Sequence, residues 1–237
     1  MVEPVETQPV ETQPVETQPV ETQPVEVFLA SRNAKKLGEM QRILGAALPD
    51  VRVLGLDDVV EYAEPVEDQP DFGGNALVKA RAGQRATGLP TLADDSGLCV
   101  DALNGMPGVL SARWSGQPRS DDRNNQLLLE QLADVPDERR GAEFRCAVAF
   151  VDTDSGGDLV ERVVDGVMRG RVIRERRGEG GFGYDVVFVP DEQDGSLTSA
   201  EMTAGQKDAI SHRGKSLRKI APIVTAALLP TGSTTEG

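Results

Sequence analysis

The sequence predicts an α/β fold built on a long twisted mixed sheet with helices on both sides. Apolar runs typical of strands alternate with segments whose apolar residues recur at helical spacing. Clusters of Gly, Asp, Ser and Pro separate these segments. About 210 residues follow a low-complexity N-terminus, which is enough for one well-buried domain or for two lobes that share a cleft.

Strand, loop and amphipathic helix follow one another where the folded region begins. The apolar run Val27–Ala30 predicts a strand, and the apolar spacing after it predicts a helix over Lys35–Ala47. A second strand is expected at Val51–Leu54. A loop rich in acidic residues follows, and a helix is then predicted over Asn75–Ala86, because a Gly-Leu-Pro stop signal comes directly after it.

The second half of the chain continues this alternation. The short apolar run Leu92–Ala93 leads into an acidic turn, and a Gly/Pro-rich loop then crosses to a helix with one apolar face. A turn signal at Asp154–Gly157 joins two further strands. The predicted elements are the helix Asp121–Leu132, the strands Glu143–Val151, Leu159–Gly166 and Asp185–Val189, and a closing helix Lys215–Leu229.

The first 26 residues have a different character. Val-Glu-Thr-Gln-Pro occurs four times between Val5 and Pro24. Proline at every fifth position prevents a regular helix, and evenly spaced glutamates favour an extended chain. We therefore predict a disordered repeat tail over 1–26 and a folded domain over 27–237. A spacer or solubility role for the tail and the absence of any role are both open.

Charge and composition exclude several classes of function. The formal net charge is −14, and the tail holds six glutamates and no basic residue, which leaves −8 for the rest. An acidic body argues against a nucleic-acid partner. The sequence has neither an 18-residue apolar run nor a signal-peptide pattern, so we expect no membrane association. Cys99 and Cys146 lack metal-ligand spacing and are expected to be buried free thiols in a reducing cytoplasm, although a disulfide is neither excluded nor needed.

The segment Leu92–Leu98 is the strongest indication of chemistry. It places Asp94, Asp95 and Ser96 in a Gly-containing turn after an apolar run. Paired carboxylates at the end of a strand suit Mg²⁺, which prefers oxygen ligands and shares them with substrate phosphates. A solvated Asx turn with an Asp cap is the alternative interpretation.

A second motif lies between the first strand and the first helix. Ser31, Asn33 and Lys36 stand beside the expected helix N-terminus, where free N–H groups and the helix dipole favour an anion. Ser and Asn are also ordinary helix caps, so a purely structural role is the alternative.

Two further segments contain aromatic, glycine and basic residues. Glycines flank Phe182 and Tyr184, which offer flat faces, and Asp185 offers an acceptor; a plain Gly-rich hairpin is the alternative. His212, the only histidine, lies near Lys207 and Arg213 in a local basic cluster suited to phosphate or a purine edge. A lone histidine is more often structural than catalytic.

Taken in order, S-x-N-x-x-K, A-D-D-S-G-L, G-G-F-G-Y-D and S-H-R-G-K make the chain similar to the inosine/xanthosine triphosphate pyrophosphatase family, the Ham1-like house-cleaning enzymes. The similarity runs from about Val27 to Leu229. It implies two lobes with a central cleft, usually in a homodimer. It also implies Mg²⁺-dependent hydrolysis of deaminated purine nucleoside triphosphates (ITP, dITP and XTP) to the monophosphate and pyrophosphate.

The resemblance also assigns roles to residues. Asp95 would be general base and metal ligand, with Glu67 as the second metal acid; Glu64 is a competitor for that role, and a solvated acidic loop is the alternative. The substrate-binding residues would be Ser31, Arg32, Asn33, Ala34, Lys35 and Lys36 for the triphosphate, Ser96, the nucleoside frame Phe182, Gly183, Tyr184 and Asp185, and Lys207, His212 and Arg213 for base and phosphate contacts.

Three departures from the family pattern leave rival functions open. Gly73-Gly74 stands where the family has an acid before Asn-Ala, Met168-Arg169 replaces Trp-Pro, and Val186 replaces a proline. These changes put loop rigidity and turnover in doubt. The rivals are a Maf-like pyrophosphatase of other specificity and a nucleotide-binding protein without catalysis.

Overall fold

The computed structural model describes residues 24–154 and 156–228. Most of the predicted tail therefore lies outside the described residues. Its last part does not, because the first strand already begins at Val25. This strand thus begins two residues before the predicted domain boundary at Val27.

One six-stranded mixed sheet organises the molecule, as the sequence predicts. Its spatial order is β2-β1-β3-β4-β5-β6. β1 pairs in parallel with β2 and β3, and the remaining neighbours are antiparallel. The strands are β1 Val25–Leu29, β2 Val51–Leu54, β3 Thr91–Val100, β4 Gly141–Thr153, β5 Leu159–Val172 and β6 Phe188–Pro190.

Five α-helices cover the sheet in the described part of the chain. They are α1 Ala34–Ala47, α2 Phe72–Thr87, α3 Asp121–Gln131, α4 Ala204–Ile210 and α5 His212–Leu228. The sequence predicts four of them to within a few residues and misses α4, which has a Thr203 capping box but only seven residues. None of the helices in these ranges has the length and hydropathy that a bilayer crossing needs.

The long strands β3 and β4 run through two separate apolar cores. At one end, α1 and α5 pack on the sheet around Leu29, Leu44 and Ile220. At the other end, Leu128 of α3 packs with Phe144. A smaller cluster of alanines lies under α2 on another part of β3 and β4. Two lobes therefore share one sheet, and the polar residues of β3 lie between the two cores.

Three predicted elements differ from the structure. Asp94–Gly97 is not a turn but the middle of β3, because every residue from Thr91 to Val100 pairs with β4. Asp185–Val187 forms a 3₁₀ turn rather than a strand, and only Phe188–Pro190 joins the sheet. α2 begins at Phe72 despite its two glycines, because the Asp71 carboxylate caps it by accepting from Gly74 N–H.

The remaining family departures lie in ordinary packing. Met168 is fully buried in the core beneath α3. Arg169 pairs with Glu143 on the neighbouring strand. Val186 packs against the same core. Neither cysteine is in a disulfide, and Cys99 is only half-buried while Cys146 is fully buried.

Gly166 allows α5 to lie directly on β5. A Cβ at this position would stand 2.0 Å from the His212 carbonyl oxygen and 2.6 Å from Ser216 Oγ. We expect Gly166→Ala to lower the free energy of unfolding by about 1–3 kcal/mol, because the helix must move off the strand. Gly38→Ala in α1 is the matched control: it meets open space and should raise stability by about 0.5–1 kcal/mol. Denaturant unfolding measures both, and equal effects would show that the close approach is not needed.

Candidate active site

Asp94 is a buried carboxylate held between two cations. It lies in β3 with 4% of its surface exposed. Lys36 Nζ, from the first turn of α1, lies 2.8 Å from its oxygens, and Arg213 Nε, from the start of α5, lies 3.2 Å away. Burial alone would raise the pKa of Asp94, but Lys36 and Arg213 hold it well below the usual aspartate range. Asp94 is therefore ionised and ties both helices to the central strand.

Asp95 faces the other side of the sheet, because successive side chains of a strand alternate. Its Oδ2 accepts a 2.9 Å hydrogen bond from Asn75 Nδ2 of α2. Burial raises the pKa of Asp95, against the lowering effects of Lys79 and Asn75, and the nearby Glu67 and Asp94 raise it further. The two acids thus do not form the side-by-side pair expected of a turn.

Lys79 lies between two acids on the Asp95 side. Its Nζ is 3.7 Å from Asp95 Oδ1 and 3.6 Å from Glu67 Oε2. Glu64, the competitor for the second acid, instead pairs with Arg32 at 2.7 Å on the exposed surface. Glu67 and Asp95 therefore flank one cation, whereas Glu64 is engaged elsewhere.

Neither Asn75 nor Lys79 is among the site residues predicted from the sequence. The two residues are four apart in α2 and so share a face of the helix, which is the pattern that could have indicated a joint role. Among the described residues, no group of three or more His, Cys, Asp and Glu side chains is arranged to hold a metal ion. A cation here would take its protein ligands from Asp95 and Glu67.

Asn33 caps the N-terminus of α1. The Asn33 Oδ1 atom accepts from the N–H groups of Lys35 and Lys36, and Ser31 Oγ accepts from Asn33 N–H. The capping role that the sequence left open is therefore present. Lys35 Nζ reaches across to the Gly181 carbonyl, 3.2 Å away in the Gly-rich loop. This end of α1, where Ala34 is the first helical residue, forms one wall of a cavity.

Phe182 marks the entrance to an aromatic chamber of about 590 Å³. Its ring is 42% exposed, and Lys207 Nζ and Arg213 Cζ lie 5.3 and 5.6 Å from the ring centroid. Such distances allow cation–π contact. The chamber is lined by Ser96, Phe144, Gly183, Tyr184, His212 and Arg213, among others.

Polar contacts hold the chamber walls in place. Asp185 is 2% exposed and accepts hydrogen bonds from Phe182 N–H at 2.9 Å and from Lys207 Nζ. Tyr184 donates its hydroxyl to the Ser111 carbonyl. Arg213 Nη2 donates to Ser96 Oγ at 3.1 Å. The Asp185 carboxylate therefore already braces the loop, besides any contact with a nucleoside.

His212 is a neutral member of the chamber wall. Its ring stacks on Phe144 with centroids 4.9 Å apart, and its buried Nδ1 has no protein partner. Burial lowers the pKa of His212 well below 6.5, and Arg213 and Lys207 lower it further. His212 therefore lies beside the basic residues Lys207 and Arg213, as predicted, but its own ring is uncharged.

A charged cavity of about 1130 Å³ adjoins the aromatic chamber. Phe182, Lys207, His212 and Arg213 line both cavities, while Lys35 lines only the charged one. Glu39 of α1 also lines it, 3.7 Å from Arg213 Nη1. Burial raises the pKa of Glu39, against the lowering effect of Arg213. A flat apolar space thus lies next to a polar space rich in cations.

The neutral state of His212 predicts a pH effect on stability. The unfolded chain takes up a proton near pH 6.5 that the folded protein does not bind. The free energy of unfolding should therefore fall as the pH drops below about 6.5, and His212→Gln should remove this part of the slope. Denaturant titrations from about pH 7 to 5.5 measure it. Identical slopes in both proteins would contradict the buried neutral imidazole.

Comparisons with known proteins show the family to which this chain is similar. The Ham1 family model matches residues 27–223. A Cutibacterium acnes protein named dITP/XTP pyrophosphatase is 56% identical over 202 residues, which cover 85% of this chain and 97% of that protein. A Nocardia farcinica protein of that name is 57% identical, with 84% and 95% covered.

Solved structures show the same similarity. The Mycobacterium abscessus nucleoside-triphosphatase, or dITP/XTP pyrophosphatase, superposes with a TM-score of 0.67 at 50% identity, covering 83% of this chain and 99% of that one. The Staphylococcus aureus Ham1 protein gives a TM-score of 0.75 at 32% identity, covering 85% and 98%. Sequence motifs, sheet, family model and relatives all agree, and the chain belongs to the Ham1 family.

Proposed function

We propose that this protein hydrolyses the deaminated purine nucleoside triphosphates ITP, dITP and XTP to the nucleoside monophosphate and pyrophosphate. The observation that carries the proposal is the aromatic chamber at Phe182, which shares Phe182, Lys207 and Arg213 with a neighbouring cation-lined cavity. The similar bacterial proteins named dITP/XTP pyrophosphatase support the same activity.

The aromatic chamber is suited to the base. Phe182 offers a half-exposed face for stacking, which is worth about 1–3 kcal/mol per base in proteins. Hypoxanthine and xanthine carry a keto oxygen at C6 where adenine carries an amine. A donor from Arg213 or the backbone would pair with that oxygen and would be left unpaired by adenine.

The charged cavity is suited to the triphosphate. Lys35 and Lys207 line it beside the first turn of α1. Lys36 pairs with Asp94 and lines neither cavity. The family resemblance assigns the whole stretch 31–36 to the phosphates, and the positive end of the α1 dipole supports this assignment.

Asp95 and Glu67 are the proposed holders of Mg²⁺. Their carboxylates already flank a positive charge, the Lys79 ammonium, so a cation between them fits the local electrostatics. Mg²⁺ in proteins is usually coordinated by one or two carboxylates, and water and phosphate oxygens fill the remaining coordination positions. When bound, Mg²⁺ would offset phosphate charge and make a bound water more acidic.

Asp95 is the proposed general base. Asn75 holds its Oδ2, and burial raises its pKa, which brings the carboxylate closer to the proton affinity that a base requires. Asp95 would take a proton from the water that attacks the α-phosphorus. The bond from that phosphorus to the bridging oxygen then breaks, and pyrophosphate leaves with its charge offset by Lys36 and Lys207.

Assembly, location and partners complete the proposal. The family resemblance supports a homodimer. A free nucleotide as substrate and the two free thiols support a cytoplasmic location. The acidic body supports a protein without nucleic-acid or membrane partners.

The base chamber predicts substrate selectivity. We expect kcat/KM for ITP, dITP and XTP to exceed that for ATP and GTP by roughly a hundredfold or more. Adenine leaves the buried donor at C6 unpaired, whereas guanine shares the 6-keto oxygen and must be rejected through its exocyclic 2-amino group. Pyrophosphate release measures all five rates. Comparable rates would refute the base assignment, and no release from any of them would favour a binding protein.

The two faces of the site predict different kinetic losses. Asp95→Asn keeps the size of the side chain but removes the base and a ligand charge, so kcat should fall by about 10² or more. Lys36→Ala should weaken both substrate binding and the transition state, because its ammonium faces phosphate in both. Asp57→Asn, the same chemical change in an exposed acid, is the control. Near wild-type turnover of Asp95→Asn at saturating ITP and Mg²⁺ would overturn its catalytic role.

A further inference from the structure

The loop that carries Phe182 is intrinsically free to change shape. Gly178, Gly181 and Gly183 have φ values of 84°, 72° and 62°, in the left-handed region. Glycine loses more conformational freedom on ordering than any other residue, so such a loop keeps one shape only where contacts hold it. The position of the Phe182 ring therefore depends on the contacts that hold this loop in one conformation.

Side chains of helix α3 make two hydrogen bonds to the residue that follows Phe182. Asp121 Oδ2 accepts from Gly183 N–H at 2.7 Å, and Asn125 Nδ2 donates to the Gly183 carbonyl at 2.8 Å. The two side chains are four residues apart and so lie on one helix face. Asn125 is fully buried, and its Nδ2 also donates to the Asp121 carbonyl at 2.8 Å. Both hydrogen-bonding groups of Gly183 are thus bound by one turn of helix.

Helix α3 is itself anchored to the rest of the protein. Ser120 caps α3 by accepting from Arg123 N–H. Leu128 on the same helix is fully buried in the core beneath the chamber. α3 can therefore act as a fixed support for the loop.

We propose that Asp121 and Asn125 are positioning residues that hold Phe182 against the nucleobase. This inference rests on the proposed function. Asp121 lines the aromatic chamber but not the charged cavity, and Asn125 lines neither. Phe182 itself lines both cavities, but the charged one is also lined by Lys35 and Arg42, which the pair does not contact. The pair therefore affects affinity for the base more than affinity for the phosphates.

The test compares probes with and without a base. Asp121→Ala and Asn125→Ala should each raise KM for ITP by about fivefold or more, the effect of one lost hydrogen bond, with kcat within about twofold. The dissociation constant of IMP should rise in parallel, while that of tripolyphosphate should change far less. Asp121→Asn should behave like wild type, because its amide oxygen can still accept from Gly183 N–H. Gln126→Ala, an exposed neighbour on α3, is the control.

Several outcomes would overturn the positioning role. A wild-type KM in Asp121→Ala would show that the hydrogen bonds to Gly183 do not affect binding of the base. Equal losses of affinity for IMP and for tripolyphosphate would show the same. Asp121 is exposed, so its variant keeps the test valid if buried Asn125→Ala does not fold. A wild-type protein that releases no pyrophosphate would refute the proposed function, and the IMP and tripolyphosphate constants would still decide this inference. Failure of the wild type to bind IMP would overturn both.

Discussion

The buried carboxylate of Asp94 is the constraint on which the rest of the structure depends. It lies where the two lobes meet, between Lys36 of α1 and Arg213 of α5. A buried acid is tolerated only when cations compensate it, so both helices must keep their N-terminal turns against β3. Arg213 in turn reaches Ser96 and the face of Phe182. One ion-pair cluster thus fixes the cleft and orients the chamber beside it.

Strand alternation places Asp94 and Asp95 on opposite faces of the sheet. Asp94 and Asp95 are adjacent in sequence, yet one faces the helices α1 and α5 while the other faces α2. Their pKa values shift in opposite directions, because two cations surround Asp94 and burial dominates at Asp95. An ionised anchor and a more basic acid therefore arise from consecutive residues.

Local patterns predicted much of this molecule, and long-range contacts account for the rest. Helical spacing located α1, α3 and α5, and apolar runs located most strands. Gly97 suggested a turn in β3, but continuous pairing with β4 outweighs that local preference. The proposed preference for Glu67 over Glu64 is supported by Lys79, which is near both Glu67 and Asp95 only in the fold. Nothing local connects Asp121 with Gly183, 62 residues away.

The division between the two aspartates is tested most directly by the free energies of unfolding of Asp94→Asn and Asp95→Asn, measured side by side. Asp94→Asn removes the carboxylate that pairs with the partly buried Lys36 and is nearest to the buried Arg213. Among the described residues, Arg213 then keeps only Glu39, at 3.7 Å, as an acidic partner, and the variant should lose about 3–5 kcal/mol. Burial, Glu67 and Asp94 disfavour the ionised Asp95 by more than Lys79 and Asn75 favour it, and Lys79 keeps Glu67 as a partner, so Asp95→Asn should change stability by less than about 1 kcal/mol. Equal losses in the two variants, or a larger loss for Asp95→Asn, would contradict the account.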